Sequence, residues 1–215
     1  MTTYQEIRAV GKELHKKLLD ATQHLNFHPI RIAKRMTLPV LGRALVLGDE
    51  SEQNAYFDFW MHEYRVDGKS LAESVDPTLE PFTPLEKEII QAHRQSRTSL
   101  FEAVTVYRAE RQVGLRDLLE PERGEIRLTD FGMSDTLNRV RARLVLFTRL
   151  VTVRQITMTG GFSFSFEPTR APGMLQAYRQ KMKKVPAAQL SEQRFIFFFQ
   201  KHRQMGIEQR YQDVR

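Results

Sequence analysis

The pattern of apolar and polar positions is clearest between Ser99 and Phe166, where alternating runs are separated by turn residues about every eight to twelve positions. Period-two alternation is typical of antiparallel strands that bury one face. A single sheet of this kind exposes its edges and one apolar face, so we expect a small barrel or curled sheet that carries helices. Two runs alternate most regularly: Val140, Ala142, Leu144 and Leu146 with Arg139, Arg141 and Arg143, and Phe162, Phe164 and Phe166 with Ser163 and Ser165.

The same alternation predicts which side chains are buried, because a register slip of one residue would exchange the two faces of a strand. A common core is expected to contain Val104, Leu144, Leu146, Phe162 and Phe164, with Arg141 and Arg143 exposed. In the first run, we expect Val104 and Val106 on one face and Phe101, Ala103 and Tyr107 on the other.

Helical periodicity precedes the predicted sheet. Thr3 and Glu6 have the spacing of a capping box, and the apolar positions that follow predict a helix ending near His24. Thr83-Pro84-Leu85-Glu86 is a second capping box with proline at the first helical position, which predicts a helix to about Arg97. The inward positions of this second helix are Leu85, Ile89 and Ala92.

Two segments between these helices are apolar or aromatic. Asn54–Tyr64 predicts a helix with Phe57, Trp60 and Tyr64 on one face. Pro39–Leu47 is apolar enough for a buried strand or for a short helix, and periodicity does not decide between them.

After the predicted sheet, Pro168–Lys184 reads as a helix, and Ser191 caps a last helix that contains Phe195 to Phe199. Five consecutive bulky apolar residues surround a helix, so we expect them to be buried in the subunit or at a dimer contact. The sequence therefore predicts an α+β protein with a helical N-terminal segment (residues 1–98), a small antiparallel β-barrel or curled sheet (99–166) and two C-terminal helices packing on it (167–215). These three parts are expected to form one compact domain.

Composition narrows the classes of function. The chain has 215 residues, 41% hydrophobic and 27% charged, which is typical of a globular protein. It contains no cysteine, which excludes disulfides, thiolate nucleophiles and cysteine-ligated zinc. There is no apolar run long enough for a membrane span and no signal-peptide core at the start, so we expect a cytoplasmic protein without a membrane partner.

Short motifs in the middle of the chain resemble a family of uncharacterised bacterial proteins, some of which carry a C-terminal SEC-C zinc-binding motif. The resemblance covers roughly residues 55 to 150 and implies helices followed by a small β-barrel-like unit. It implies no activity or catalytic residue, and without cysteine this chain cannot hold the SEC-C zinc. The motifs are Phe57-Asp58-Phe59-Trp60, Tyr64-Arg65-Val66-Asp67-Gly68, Ser99-Leu100-Phe101-Glu102-Ala103-Val104, Leu115-Arg116-Asp117-Leu118-Leu119 and Ala142-Arg143-Leu144-Val145.

Catalytic and metal-binding patterns are weak. His24 and His28 have the spacing of two ligands on one helix face, but Pro29 follows and no third ligand is near in sequence. Glu102, Asp117 and Asp130 could act as a general acid and base if the fold brought them together. Carboxylates at strand ends more often bind turns or arginines, so we expect no catalytic residue, no metal and no cofactor.

Basic clusters are the stronger signal, in a chain of net charge +7. A row of like charges on one strand face is repulsive unless an anion lies opposite, although a solvated face is the commoner explanation. We therefore expect a non-enzymatic binding module, with nucleic acid as the first candidate ligand, a protein partner as the second and an enzyme with a carboxylate pair as the third. The candidate nucleic-acid-binding residues are Arg31, Lys34, Arg35, Arg139, Arg141, Arg143, Arg154, Arg179, Lys181, Lys183 and Lys184.

Overall fold

A computed structural model describes residues 2–21, 28–78, 82–140 and 143–207. The chain is α+β, as the sequence predicts. The helices are α1 (Thr3–Ala21), α2 (Pro29–Arg35), α3 (Glu50–His62), α4 (Leu71–Ser74), α5 (Pro84–Gln95), α6 (Phe131–Val140), α7 (Ala171–Met182) and α8 (Leu190–Met205). The strands are β1 (Val40–Leu41), β2 (Ala44–Leu45), β3 (Arg65–Val66), β4 (Lys69–Ser70), β5 (Arg97–Tyr107), β6 (Gln112–Asp117), β7 (Glu125–Thr129), β8 (Val145–Val153) and β9 (Ile156–Phe166).

Two compact units make up the chain. The first is Met1–Ser96 with Val151–Gln155, and the second is Arg97–Leu150 with Ile156–Arg215. The first unit contains α1 to α5 and the two short hairpins β1–β2 and β3–β4. The second unit contains α6 to α8 and most of a five-stranded sheet.

Four helices of the first unit, α1, α3, α4 and α5, begin at side-chain caps, whereas α2 has none. Thr83 accepts from the Glu86 amide at 3.3 Å, and Glu86 Oε2 accepts from the Thr83 amide at 2.7 Å, so the predicted capping box of α5 is confirmed. The box of α1 lies one residue earlier than predicted, because Thr2 Oγ1 accepts from the Gln5 amide at 3.3 Å and Gln5 Oε1 accepts from the Thr2 amide at 2.9 Å. The predicted end of α1 near His24 lies outside the described residues.

The helices of the first unit pack through buried apolar side chains. Leu85, Ile89 and Ala92 of α5 are buried as predicted. The aromatic segment is helical, but α3 buries Tyr56 and Phe59, whereas the predicted face of Phe57, Trp60 and Tyr64 is half-buried. The apolar segment Pro39–Leu47 is neither a buried strand nor a helix. It forms the exposed hairpin β1–β2, in which Leu41 is 71% exposed.

The five-stranded sheet of the second unit has the order β7-β6-β5-β8-β9. The ladders β5–β6, β5–β8 and β6–β7 are antiparallel. Cα atoms of the edge strands β7 and β9 come within 8 Å of each other. No closed barrel is seen in the described part of the sheet, so an antiparallel sheet is confirmed and the barrel remains a prediction.

A β-bulge in β5 changes the faces that the alternation predicted. Ala103 pairs with Leu115, whereas Thr105 pairs with Gly114, so Val104 is the extra residue. After the bulge, Val106 packs against the cluster that contains Phe101 and Ala103. The predicted separation of Val106 from Phe101 and Ala103 is therefore wrong, because one inserted residue reverses the alternation.

The sheet is covered on both faces, so the predicted common core is divided. Leu146 lies in a cluster with Phe101, Leu115 and Leu137 of α6, and half-buried Leu144 packs against it. Phe162 and Phe164 instead belong to an aromatic layer with Phe147 and with α8, and Val104 is half-buried. The predicted burial of Phe195 to Phe199 is confirmed within the second unit.

Residues 131–140 form a helix, which includes Arg139 and Val140, the first residues of the predicted strand with a row of arginines. Asp130 begins this helix: its Oδ1 accepts from the Met133 amide and its carbonyl from the Ser134 amide, both at 2.9 Å. Leu137 is buried against the sheet, and Met133 packs beside it one helical turn away. The apolar side chains of the helix thus cover one face of the sheet. The strand β8 begins only at Val145.

Candidate functional site

A concentration of exposed positive charge in the described part of the first unit lies on α2 and the β1–β2 hairpin. Pro29 occupies the first turn of α2, where its missing amide hydrogen costs nothing. Ile32, Ala33 and Met36 are 0% exposed, and their helical spacing turns Arg31, Lys34 and Arg35 towards solvent.

The hairpin adds a fourth cation and an apolar tip. Leu41 pairs with Ala44, and Gly42 has a φ of 62°, which fits the first central position of a two-residue turn. The turn exposes Arg43 and Leu41. We call the surface formed by Arg31, Lys34, Arg35, Leu41 and Arg43 the basic hairpin surface.

Electrostatics distinguish this surface from an ordinary mixed surface. There is no aspartate or glutamate between residues 28 and 48. Among the described residues, Arg31, Lys34 and Arg43 have no carboxylate partner. Arg31, Lys34 and Arg43 therefore give the surface three positive charges that an anionic ligand could neutralise.

Arg154, another predicted contact, is committed to an ion pair within the same unit. It lies in the turn after β8, and its Nε and Nη2 donate to Glu88 at 2.6 and 2.9 Å. Hydrogen bonding to the Glu88 carboxylate raises the pKa of Arg154 above its usual value. Arg154 is not on a strand beside Arg139, as the sequence suggested, and its charge is already balanced.

The other predicted cations lie on separate elements of the second unit. Arg139 is exposed on α6, Arg143 is exposed before β8, and Arg141 lies outside the described residues, so the predicted strand row is wrong. Around the end of α7, where cations complement the helix terminus, lie the exposed side chains of Arg179, Lys181, Lys183 and Lys184.

Arg143 lines a cleft of about 270 Å³ between α6 and the bulged part of β5. Arg108 and Asn138 line the same cleft. No sequence pattern identified Arg108 and Asn138 as site residues, because the cleft depends on a bulge and on a helix that the sequence analysis did not predict. For Arg43 and Leu41, the sequence did contain an indication of an exposed turn: Gly42, which interrupts an apolar run.

Two of the three candidate carboxylates, Asp117 and Asp130, have structural roles. Asp117 is 0% exposed; its Oδ1 accepts from the Ser99 hydroxyl at 2.6 Å and from the Leu119 and Glu120 amides, and its Oδ2 accepts from Arg97 at 2.9 Å. Asp130 caps α6, and half-buried Glu102 pairs with Val145 in the sheet. The carboxylates of Asp117 and Asp130 therefore serve the sheet and the start of α6.

Among the described residues, buried His62 and half-buried His93 form a pair that the sequence analysis did not identify. The rings of His62 and His93 stack with their centroids 5.1 Å apart, and His62 Nε2 lies 3.2 Å from His93 Nδ1. Asp58 Oδ1 is 3.9 Å from His62 Nε2. Exposed His28 is not part of this pair, and His24 lies outside the described residues. Within the described ranges, no group of three His, Cys, Asp or Glu residues could hold a metal ion.

A family model matches residues 1–212. The chain belongs to DUF7986, a family of unknown function. This confirms the expectation of an uncharacterised family and extends it beyond residues 55 to 150, whereas bacterial origin and SEC-C relatives remain predictions. No curated protein and no solved structure matches the chain. Among the described helices, none is long and apolar enough to cross a membrane.

Proposed function

We propose that this member of DUF7986 is a non-enzymatic binding module for nucleic acid and that the basic hairpin surface is its main contact. The observation that carries the proposal is the set of four exposed cations on α2 and β1–β2, in a segment without an acidic residue. Exposed cations suit a phosphate backbone, because phosphate contacts supply most sequence-independent affinity.

The hairpin tip adds a contact that phosphates do not explain. Leu41 is 71% exposed and lies beside Arg43. An apolar side chain flanked by cations can contact bases or sugars while the cations hold the backbone. The proposal therefore favours binding with little sequence preference.

Phosphate contacts from Arg31, Lys34 and Arg43 imply a strong salt dependence. With a slope of about −0.9 per contact on duplex DNA, raising the salt from about 50 to about 200 mM should weaken binding by roughly 40-fold. Contacts from Arg139, Arg141, Arg143, Arg179, Lys181, Lys183 and Lys184 remain part of the proposal and would steepen this slope. A cytoplasmic location, which the sequence favours, also belongs to the proposal.

The test is a titration of fluorescent single- and double-stranded oligonucleotides, followed by anisotropy at several salt concentrations. The double variant Arg31→Glu/Lys34→Glu should weaken binding at least about tenfold and lower the slope by about two contacts. The matched control is Lys12→Glu/Lys16→Glu, which changes the net charge equally at exposed positions on α1.

Two outcomes contradict the proposal. Equal losses in both double variants would show that only net charge matters and that the basic hairpin surface is not a site. No binding at tens of micromolar protein in low salt would exclude nucleic acid. A protein partner would then be the better candidate, because Leu41 and Val46 of the hairpin segment are exposed apolar residues.

A further inference from the structure

The cleft between α6 and β5 is a second feature that could bind a ligand, and it uses none of the residues of the basic hairpin surface. Its volume is about 270 Å³, close to the lower end of the range for small-molecule sites. Val104, Val106 and Leu137 supply apolar lining, while Arg108, Arg143 and Asn138 supply polar groups. A few polar groups over an apolar surface are typical of sites for small organic ligands.

The bulge and the end of a ladder create the cleft. The β5–β8 ladder ends at the pair Glu102–Val145, and the Ala103 amide donates to the Leu144 carbonyl at 2.9 Å. The bulge at Val104 follows directly and separates the end of β5 from this ladder. Because α6 covers the sheet at Leu137, the space between the bulged strand and the helix stays open at Arg108 and Arg143.

The two guanidinium groups of the cleft are not neutralised by any carboxylate in the described part of the chain. Within the ranges that the structure describes, neither Arg108 nor Arg143 has a carboxylate partner. Asp135 of α6 binds Arg111 at 2.8 Å. Glu125 accepts from the Thr105 and Tyr107 hydroxyls at 3.2 and 2.5 Å. These two acids are therefore engaged elsewhere, and the cleft has an excess of positive charge.

Asn138 has an acceptor without a donor among the described residues, its buried Oδ1 atom. A buried acceptor without a hydrogen bond is unfavourable. A ligand that brings a hydroxyl or amino donor would gain this hydrogen bond once the Asn138 amide turns into the cleft that it lines.

From these three observations we propose that the cleft binds a nucleoside monophosphate group. The phosphate would lie between Arg108 and Arg143, since guanidinium groups match phosphate geometry. A sugar hydroxyl or base amino group would donate to Asn138, and the flat base would pack on Val104, Val106 and Leu137. The same chemistry is offered by a free nucleotide and by the 5′-phosphorylated end of a strand.

Calorimetric titration with AMP, adenosine and ribose 5-phosphate separates the parts of this ligand. AMP should bind with a Kd below about 1 mM, and adenosine and ribose 5-phosphate should each bind at least about tenfold more weakly. A trinucleotide with and without a 5′-phosphate tests the strand end. Preference for the phosphorylated trinucleotide over AMP would assign the site to strand ends, and the reverse would assign it to free nucleotides.

Variants locate the site. Arg108→Gln and Arg143→Gln should each weaken binding of the preferred ligand roughly tenfold or more, and Asn138→Leu several-fold. Arg116→Gln, an exposed arginine on β6 outside the cleft lining, is the matched control and should leave binding unchanged. Far-UV circular dichroism of each variant checks that it is folded.

The proposal is overturned if neither AMP nor the phosphorylated trinucleotide binds at about 5 mM. It is also overturned if ribose 5-phosphate binds as well as AMP, or if Arg116→Gln weakens binding as much as Arg108→Gln. These results leave the basic hairpin surface untouched, because its test uses other residues and long oligonucleotides.

Discussion

Replacing Phe198 with alanine should destabilise the protein by about 3 to 5 kcal/mol, the usual cost of truncating a buried phenylalanine. Phe198 lies on α8 and is 0% exposed. Its ring stacks on Phe147 of β8 with the centroids 4.6 Å apart, and it lies 5.3 Å from the Tyr178 ring and 5.0 Å from the Phe197 ring. Aromatic pairs add about 0.5 to 1.5 kcal/mol each to area burial, so the cost should fall in the upper part of this range.

Urea unfolding followed by far-UV circular dichroism measures the change. With a slope of about 2 kcal/mol per molar urea, the loss corresponds to a midpoint about 1.5 to 2.5 M lower. The single tryptophan, Trp60, lies in the first unit, so its fluorescence shows whether that unit unfolds in the same transition. Leu41→Ala is the control, because an exposed apolar residue should change stability by no more than about 0.5 kcal/mol.

A loss below about 1 kcal/mol at an unchanged slope would refute this reasoning. It would mean that α8 does not close the aromatic layer over Phe147, or that the cavity is refilled by neighbouring rings. A changed slope would point to a different unfolding transition, and the free energies could then not be compared.

Two further predictions concern polar groups. Asp117→Asn should lower the free energy of unfolding in urea by about 2 to 3 kcal/mol. The amide would present donors to groups that themselves donate to the carboxylate, namely Arg97, Ser99 and two backbone amides. A loss below about 1 kcal/mol would contradict this role. Burial lowers the pKa of His15 below the usual 6.5. Below that pH the unfolded chain gains a proton that the folded chain lacks, so stability should decrease as the pH falls through 6.5 towards the folded pKa. His15→Leu should weaken this acid dependence of the urea midpoint, and an unchanged dependence would show that other groups cause it.

The sequence alone was sufficient where a local interaction or a strong pattern determines the structure. The capping box at Thr83 and Glu86 is a contact between residues three apart, and α5 begins there. Phe195 to Phe199 surround a helix with apolar side chains, which forces burial whatever the neighbours are. The alternation of Phe162 and Phe164 with serines also identified β9, because a period of two residues is characteristic of strands.

The sequence misled where two patterns competed or where one residue was inserted. Residues 131–146 contain both helical and alternating positions, and α6 formed because Asp130 caps it and Leu137 covers the sheet. The bulge at Val104 has no local signature, yet it moves Val106 to the other face. The sheet is buried on both faces, so the residues predicted to share one core lie in two clusters, Leu146 on one face and Phe162 and Phe164 on the other.

The candidate sites show the same division. The cations Arg31, Lys34 and Arg35 were visible in the sequence, because like charges within one helical turn and a half need no tertiary information. Their solvent exposure beside the Leu41 hairpin depended on which side of α2 was buried. The cleft of Arg108, Asn138 and Arg143 was decided wholly by the tertiary structure, since a bulge and a helix bring Arg108 close to residues that are 30 or more positions further along the chain. Local hydrogen bonds and periodicity can be read from the order of residues, whereas cavities and unpaired buried atoms exist only once distant segments have packed.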